Sequence, residues 1–448
     1  MAQPPPAERP PSFAARLPFF YGWVIVGVSA LSIASSAPGQ TNLIAALIDP
    51  MMKGLSVDRG TITAMFTVGT LAASFGMAFV GFSIDRIGPR TVMIVSVLLF
   101  GVVVMLMGAI PANAGVVTVV GLGLGFFGLR LLGRGALNML GTILVSFWFR
   151  RMRGRATSVA SGMGWLVGLG TLPPASHWLI AEFGWRGAWV ALGLGVWVVM
   201  LLPAIFLVRK TPESVGLLPD GDRPSEAQEH DQPGGATPAG AASVPEDNWT
   251  VREAIRARSL WFILIAAMAW STLGAGILFH QVSVLEERGI SEGVARSSIA
   301  AVAVMNFVGN VIAGYLNDRF PNHYTLFLAQ VALLLALLMS LVVGAAWHAW
   351  AYAGLLGMTQ GMTLNTGTVI WANYFGRANL GSIRGATMWV VGVTSAVGPL
   401  PLAYLHDATG SYTLGVWIYV GLLLPMMVAA LLATKPTRPQ LAPGAAAV

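Results

Sequence analysis

The chain of 448 residues has no cysteine, and charged residues make up only 10% of it, against about 25% in a typical soluble domain. The lack of cysteine excludes disulfide bonds, metal thiolates and a cysteine nucleophile. The shortage of charge, together with 55% hydrophobic residues, excludes an ordinary soluble domain. The sequence also has no phosphate-binding loop, nucleophile–base pair or metal-ligand cluster, so we expect no enzyme activity, no cofactor and no bound metal.

Apolar stretches of about 20 residues, the length that crosses a bilayer, recur along the chain. Glycine is frequent, with 53 residues, as is typical where membrane helices approach closely. We predict an all-α membrane protein with twelve transmembrane helices in two pseudo-symmetric six-helix halves. The predicted spans are residues 19–45, 60–83, 91–110, 116–147, 156–181, 185–208, 259–284, 294–316, 323–346, 349–374, 385–406 and 413–434.

The net charge of +7 follows from membrane topology. Most of the 26 Lys and Arg residues fall in segments on the side of the N-terminus, which is the positive-inside bias. We therefore expect a multi-pass protein of the cell membrane, a bacterial inner membrane, with both termini in the cytoplasm and no nucleic-acid partner. Residues 1–18 lack the apolar core and cleavage site of a signal peptide, so we expect the first span to be retained.

One long polar stretch divides the chain. Its centre is rich in proline, glycine and charge, which predicts a flexible tether without a binding role. Thr250 and Glu253 have the spacing of a capping box, which predicts a short helix before the seventh span. The predicted segments are an N-terminal tail at 1–18, a six-helix half at 19–208, a cytoplasmic linker at 209–258, a second six-helix half at 259–434 and a C-terminal tail at 435–448.

The two halves repeat one another. The segment Gly81-Phe-Ser-Ile-Asp85-Arg86 after the second span recurs as Gly314-Tyr-Leu-Asn-Asp318-Arg319 after the eighth span. Arg134 in the fourth span aligns with Gln360 in the tenth. Two parallel six-helix repeats form a transporter architecture, with the substrate site near the membrane midplane between them.

Two arginines, Arg130 and Arg134, stand one helical turn apart inside the fourth span, on a stripe that continues to Asn138. An arginine at bilayer depth costs roughly 2.5 to 3.5 kcal/mol on insertion scales, so it has to face a polar cavity or a partner. No predicted span contains a carboxylate. We therefore expect the counter-ion to be the transported substrate, with at least one of the two arginines facing it. The other arginine could instead bind backbone carbonyl groups.

Further polar side chains in the spans are candidate substrate contacts. His280 could donate a hydrogen bond or carry a proton, or it could be a neutral histidine held by a backbone group. The asparagines could line the substrate path or hold helices together. Besides Arg130, Arg134 and Asn138 of the fourth span, the candidates are Gln40, Asn42, His280, Asn306, Asn310 and Gln360.

A second cluster lies at a helix end on the cytoplasmic side. A carboxylate at the position of Asp85, which recurs as Asp318, could hold neighbouring helix termini by charge-assisted hydrogen bonds. We predict a conformational switch formed by Gly81, Asp85, Arg86, Arg90, Asp318 and Arg319.

The segment Asp85-Arg86-Ile-Gly88-Pro89-Arg90, four residues after Gly81, resembles the signature loop of the major facilitator superfamily. Within that superfamily the chain resembles the monocarboxylate-transporter branch. The residues that carry this second resemblance are Tyr21-Gly22-Trp23 and the runs that start at Phe147 and Tyr374. The resemblance implies a monomer in the lipid bilayer that rocks its two halves around a substrate site.

The chain also departs from this branch. Phe20 and Tyr21 stand where the branch usually has an acidic residue ahead of Gly22. The eighth span has Asn306 and Asn310 in place of an Asp–Arg pair, and the first span has no lysine. Proton coupling therefore does not follow from the resemblance.

We expect a secondary active transporter that moves a small carboxylate, a monocarboxylate, by alternating access, with coupling to protons left open. An exporter of apolar or cationic compounds is the first alternative, disfavoured because a cation site would need a membrane carboxylate. A transporter-like sensor without net flux is the second, disfavoured because neither tail offers a signalling domain.

Overall fold

The computed structural model describes residues 18–222 and 247–437. Within these residues the secondary structure is helical, without a β-strand. Almost all of the predicted N-terminal tail, most of the C-terminal tail and the centre of the predicted linker lie outside the described residues.

Ten candidate spans are long and apolar enough to cross a membrane. Two further long helices, α5 and α10, bring the series to twelve, consistent with the sequence prediction. The helices α5 and α6 are separated at Gly184, whose φ of 67° interrupts the helical geometry. The long helices are α1 Gly22–Leu55, α2 Arg59–Ile87, α3 Pro89–Ala109, α4 Val116–Trp148, α5 153–183, α6 185–206, α7 Arg258–Phe279, α8 Glu292–Arg319, α9 Asn322–Val342, α10 Ala346–Phe375, α11 Leu380–Thr409 and α12 Thr413–Leu432.

The outer surface of these helices is apolar. Phe79 and Val198, for example, are 73% and 76% exposed. Such side chains would not be left in water by a soluble protein, but they suit contact with lipid.

Several helices are irregular: α5 is interrupted at Thr171, α8 at Ser298 and α11 at 398–399, and three more contain a 3-10 or π-helical segment. In α1, a short 3-10 segment at Ala37–Gly39 contains Pro38 and separates Gly22–Ser35 from Thr41–Leu55. The first span therefore ends ten residues later than residue 45, where the sequence prediction placed it. The helices α4 and α7 contain π-helical stretches at Leu129–Leu137 and Ala269–Gly274. Breaks and π segments free backbone groups to bind side chains, and they are frequent at functional sites.

The two described ends of the linker lie at the same end of the helix bundle, which we call the linker face; the opposite end is the far face. At the first end, the indole nitrogen of Trp148, the last residue of α4, donates to the carbonyl oxygen of Arg209 at 3.2 Å. At the second end, the Trp249 amide donates to the carbonyl oxygen of Phe375, the last residue of α10, at 3.0 Å. The capping box predicted for Thr250 and Glu253 is confirmed and starts the short helix Val251–Arg256.

At the far face, Asp58 starts α2. Its side chain accepts hydrogen bonds from the hydroxyl and the amide of Thr61. These hydrogen bonds to the charged carboxylate hold the pKa of Asp58 below its usual value. The first turn of α2 is therefore fixed by its own cap.

Glycines let helices touch backbone to backbone where the halves α1–α6 and α7–α12 meet. A side chain at Gly81 of α2 would clash with the carbonyl oxygen of Gly381 of α11, and one at Gly154 of α5 would clash with that of Gly314 of α8. These two contacts between halves both lie near the linker face. The same device joins α8 to α10 within one half, where Gly361 meets the carbonyl of Asn306.

Two glycines of α10 give a matched test of this packing. Gly361→Ala should destabilise the fold by about 1–3 kcal/mol, because a methyl group there would force α8 and α10 apart. Gly367→Ala should leave stability unchanged or raise it, because no atom of another described helix lies within 4 Å of a methyl group there. Thermal unfolding in one detergent checks both. Equal melting temperatures for the two variants would contradict the packing described.

Candidate functional site

The break in α1 packs against the π-helical stretch of α4. A side chain at Gly39 would clash with the carbonyl oxygen of Leu129, so glycine is needed for this approach. Gln40 follows the break in an extended conformation and starts the second part of α1. The candidate site of α4 therefore lies against the irregular part of α1.

Arg130 holds this junction together. Its Nη1 donates to the carbonyl oxygen of Gly39 at 3.1 Å and to the hydroxyl of Thr41 at 3.3 Å. Its guanidinium carbon also lies 5.2 Å from the centre of the Phe66 ring of α2, a cation–π contact. Arg130 is buried, with 5% exposure. Within the described parts of the chain, these contacts are to side chains and backbone of the first half.

Arg134, one turn further along α4, is in a different situation. Its side chain is exposed although it lies midway along a membrane-length helix. It makes no hydrogen bond or ion pair with any residue in the described parts of the chain. A guanidinium at this depth needs water or an anion as its partner.

The stripe that starts at Arg134 contacts the second half at Thr142. Asn138 and Thr142 follow at intervals of four residues, and Asn138 is half-buried. The hydroxyl of Thr142 accepts a hydrogen bond from Nη1 of Arg384, on α11, at 2.7 Å. Thr142 therefore faces the second half, and Arg134 lies two turns earlier on the same helix, within the π-helical stretch Leu129–Leu137.

Arg384 is a third arginine of this region, and sequence reasoning missed it. The predicted eleventh span began at residue 385, whereas α11 begins at Leu380, so Arg384 was not counted as a membrane arginine. It is 3% exposed. No carboxylate in the described residues forms an ion pair with Arg130, Arg134 or Arg384.

The remaining polar candidates are scattered. Gln40 is buried and donates to the Ser36 hydroxyl at 3.2 Å, within α1. Asn42 is exposed, two residues beyond Gln40. Asn306 of α8 and Gln360 of α10 are half-buried. The structure therefore gathers Gln40 and the arginines of α4 around the α1 break, and places Asn306 and Gln360 on two neighbouring helices of the other half.

His280 lies at the far-face end of α7, where both ring nitrogens have partners. Nε2 is 3.1 Å from the carbonyl oxygen of Pro399, and Nδ1 is 3.3 Å from the hydroxyl of Tyr412. The neutral ring satisfies both contacts if Nε2–H donates to the carbonyl and Nδ1 accepts from the tyrosine. His280 thereby ties α7 to α11 and to the start of α12.

Asn310 is buried in a hydrogen-bond network between helices. Its Nδ2 donates to the Ser161 hydroxyl of α5 at 3.0 Å, and its Oδ1 accepts from Asn365 of α10 at 3.0 Å. The network continues through four more amide side chains to a buried arginine at the start of α5. Its further members are Asn365, Asn317, Asn322, Asn373 and Arg153. Asn310 is thus engaged in holding α5, α8 and α10 together.

The carboxylate of Asp85 caps the first turn of α11, on the other half. Oδ1 accepts from the Gly381 amide at 2.9 Å, and Oδ2 accepts from the Ser382 amide at 2.6 Å. These amides belong to the first helical turn, where backbone donors lack helical partners. A negative charge there also interacts favourably with the helix dipole.

Asp318 makes the equivalent contact to α5. Oδ1 accepts from the Gly154 amide at 2.6 Å, and Oδ2 accepts from the Arg155 amide at 3.1 Å and from Arg155 Nε at 2.8 Å. Both carboxylates therefore bind across the boundary between halves, at the second and third residues of a helix. The contacts close the linker face.

The arginines of the predicted switch lie beside these carboxylates and are exposed. The guanidinium of Arg86 lies over the ring of Phe82 and that of Arg319 over the ring of Tyr315, at 5.7 Å and 4.8 Å. Arg90 donates to the carbonyl oxygen of Ile205 at 2.6 Å. Within the described residues, these three arginines make contacts inside their own halves.

A sequence model described as the Major Facilitator Superfamily matches residues 29–399 and, in a second match, residues 281–447. Monocarboxylate transporter 12 of Rattus norvegicus is 27% identical over 293 residues, which cover 60% of this chain and 57% of that protein. The niacin transporter of Acinetobacter baylyi is 24% identical over 312 residues, which cover 64% of this chain and 65% of that protein. The alignments thus span about three fifths of the length of these relatives.

The fold is similar to solved structures. The Escherichia coli fucose:proton symporter matches with a TM-score of 0.64 at 13% identity, over 93% of this chain and 98% of that one. A proton:xylose symporter matches with a TM-score of 0.64 at 14% identity, over 92% and 94%. The sequence match over residues 29–399 covers most of the chain. The chain therefore belongs to the Major Facilitator Superfamily.

Proposed function

We propose that the chain is a secondary active transporter of a small organic anion, a monocarboxylate, and that Arg134 binds the carboxylate. The observation that carries the proposal is the environment of Arg134. It is exposed at mid-helix depth and has no hydrogen-bond or ion-pair partner among the described residues, and its stripe leads to Thr142, which binds Arg384 of the second half. A guanidinium offers a planar fork of donors that matches a carboxylate in two parallel hydrogen bonds.

The two arginines of α4 have different roles in this proposal. Arg130 stabilises the α1 break, because its Nη1 donates hydrogen bonds to Gly39 and Thr41. It positions α1 against the part of α4 that presents Arg134. Arg384 is buried at the Thr142 end of the same stripe. It adds positive charge to the region where the anion would bind.

The names of three relatives support an anionic substrate. Two of them are the monocarboxylate and niacin transporters described above, and a third is a probable galactarate/D-glucarate transporter of Bacillus subtilis, 22% identical over 380 residues. The compounds in these names carry carboxylates at neutral pH. The match to the monocarboxylate transporter also agrees with the branch that the sequence resembles.

Transport would proceed by alternating access, with the linker face in the cytoplasm of a bacterial cell. The exposed arginines at this face agree with the positive-inside rule. In the described state, Asp85 and Asp318 hold α11 and α5 across the two halves. Rocking of residues 19–208 against 259–434 would break these contacts and open the linker face to the anion.

The first functional prediction separates the two arginines of α4. Arg134→Gln should lower uptake of labelled monocarboxylates into vesicles by about tenfold or more, because a hydrogen bond to a charged group contributes about 1.5–3 kcal/mol. Arg130→Gln should instead lower the melting temperature, because the Gly39 carbonyl loses its donor. Uptake and thermal unfolding are measured on the same preparations.

Arg296→Gln is the matched control, since Arg296 is 70% exposed and, among the described residues, forms an ion pair with its helical neighbour Glu292 at i−4 alone. It should leave uptake and melting temperature at the parent values. Parent-level uptake by Arg134→Gln would show that the anion does not pair with Arg134.

The second prediction concerns the switch. Asp85→Asn and Asp318→Asn should favour an open linker face, because each loses a charge-assisted cap. Asp318→Asn should have the larger effect, since it also loses the ion pair with Arg155. With no native cysteine, spin labels at Ile87→Cys and Phe320→Cys report the distance between halves.

In both switch variants, a larger fraction of molecules should show the longer distance between the two spin labels, which corresponds to the open linker face. The affinity for the anion should change little. Asp407→Asn is the control, because that carboxylate is 84% exposed near the end of α11. A parent-like distance distribution in both switch variants would remove these carboxylates from the mechanism.

The third prediction concerns the coupling of anion transport to an ion gradient. We propose that the coupling ion is the proton and that His280 carries it. Histidine is the side chain that most readily changes charge near neutral pH. His280→Gln should retain exchange of the anion across the membrane while losing accumulation driven by a pH gradient. Gradient-driven accumulation that survives this change would reduce His280 to a hydrogen-bonding role between α7, α11 and α12.

A further inference from the structure

The described ends of the linker bind two loops that lead into α5 and α11. In the first loop, the Asp220 carboxylate accepts hydrogen bonds from three consecutive backbone amides. Oδ2 accepts from Arg150 at 3.0 Å and from Arg151 at 2.8 Å, and Oδ1 accepts from Met152 at 3.2 Å. Asp222 adds an ion pair to the side chain of Arg151.

The second loop is bound by the other end of the linker. Asn248 Oδ1 accepts from the amides of Arg377 at 3.0 Å and Ala378 at 2.9 Å. Asn379 Nδ2 donates to the carbonyl oxygen of Trp249 at 2.9 Å. The Trp249 amide in turn binds Phe375, so this loop is held at both ends.

The two bound loops are equivalent in the repeat. Arg150 lies four residues before Gly154, and Arg377 lies four residues before Gly381. Gly154 and Gly381 are the residues whose amides bind Asp318 and Asp85. The linker occurs once in the chain, yet its two ends occupy the same position on each half.

Each loop is therefore fixed from two sides. The linker binds the first amides of the loop, and a carboxylate from the opposite half binds the amides of the helix that follows. The orientation of backbone donors at a helix start decides whether a side chain can cap them. A loop released from the linker would present its helix start to Asp85 or Asp318 less often in the required geometry.

One linker contact crosses the two halves directly. Glu213, which follows α6 of the first half, lies 3.2 Å from Nη2 of Arg377 in the second half. Nη1 of the same arginine donates to the carbonyl oxygen of Phe147, on α4, at 2.6 Å. Opening of the linker face would have to break both contacts.

We propose that residues 213–222 and 247–249 form a clasp, an intramolecular device that stabilises the closed linker face by holding these two loops. The linker thereby sets the balance between the two transport states. The clasp goes beyond anion transport, because it acts on the conformational equilibrium whatever the substrate is.

The test uses the spin labels at Ile87→Cys and Phe320→Cys in the full chain without substrate. Asp220→Asn should raise the open-to-closed ratio about fivefold, within the range usual for coupled sites. The reason is that the asparagine side chain replaces one of the two acceptor oxygens by an NH₂ group, so the Met152 amide loses its acceptor. Asn248→Ala should act in the same direction. Glu213→Gln should also raise the open-to-closed ratio, because it weakens the ion pair with Arg377. Since this variant leaves both loop caps intact, it keeps the test valid if Asp220→Asn or Asn248→Ala fails to fold.

Two control variants complete the test. Asp247→Asn changes a neighbouring exposed charge that makes no side-chain hydrogen bond in the described residues, and it should match the parent. Asn248→Asp keeps an acceptor for the two loop amides and adds a negative charge to this cap, so it should not raise the open-to-closed ratio. Parent-like distances in Asp220→Asn, Asn248→Ala and Glu213→Gln would overturn the clasp, and so would an equal shift in Asp247→Asn.

Discussion

A polar group at bilayer depth must find its partner inside the protein or in a water-filled path, and this constraint organises the whole molecule. Arg130 satisfies it with the carbonyl of the α1 break. Arg384 satisfies it in part with the hydroxyl of Thr142. Arg134 does not satisfy it within the described residues, and for that reason we propose Arg134, rather than the other two, as the residue that binds the anion.

The two halves repeat their closing contacts but not the packing behind them. Four residues before Gly314 stands Asn310, and four residues before Gly81 stands Met77, and both side chains are buried. The α5–α8 contact is therefore backed by hydrogen bonds between amide side chains. The α2–α11 contact relies on apolar packing, glycine and the Asp85 cap. Sequence symmetry thus does not imply equal strength on the two sides.

Local signals could be predicted from the sequence. The repeated Gly and Asp of the two signature segments indicated a helix-end contact, and Thr250 with Glu253 indicated a capped helix. Long-range contacts could not be predicted. Asp220 binds amides about 70 residues away, and nothing near it in the sequence marks that partner. Arg384 was missed because the apolar run begins after it, although its helix starts earlier.

The most direct test of the central claim compares carboxylates with their neutral amides as ligands of the purified protein. The change in melting temperature on adding each compound measures binding to the folded state. If Arg134 binds the anion, a carboxylate that is transported should raise the melting temperature, and the amide of the same shape should not. If the amide stabilises the protein as well as the acid does, the charge of Arg134 is not what recognises the substrate.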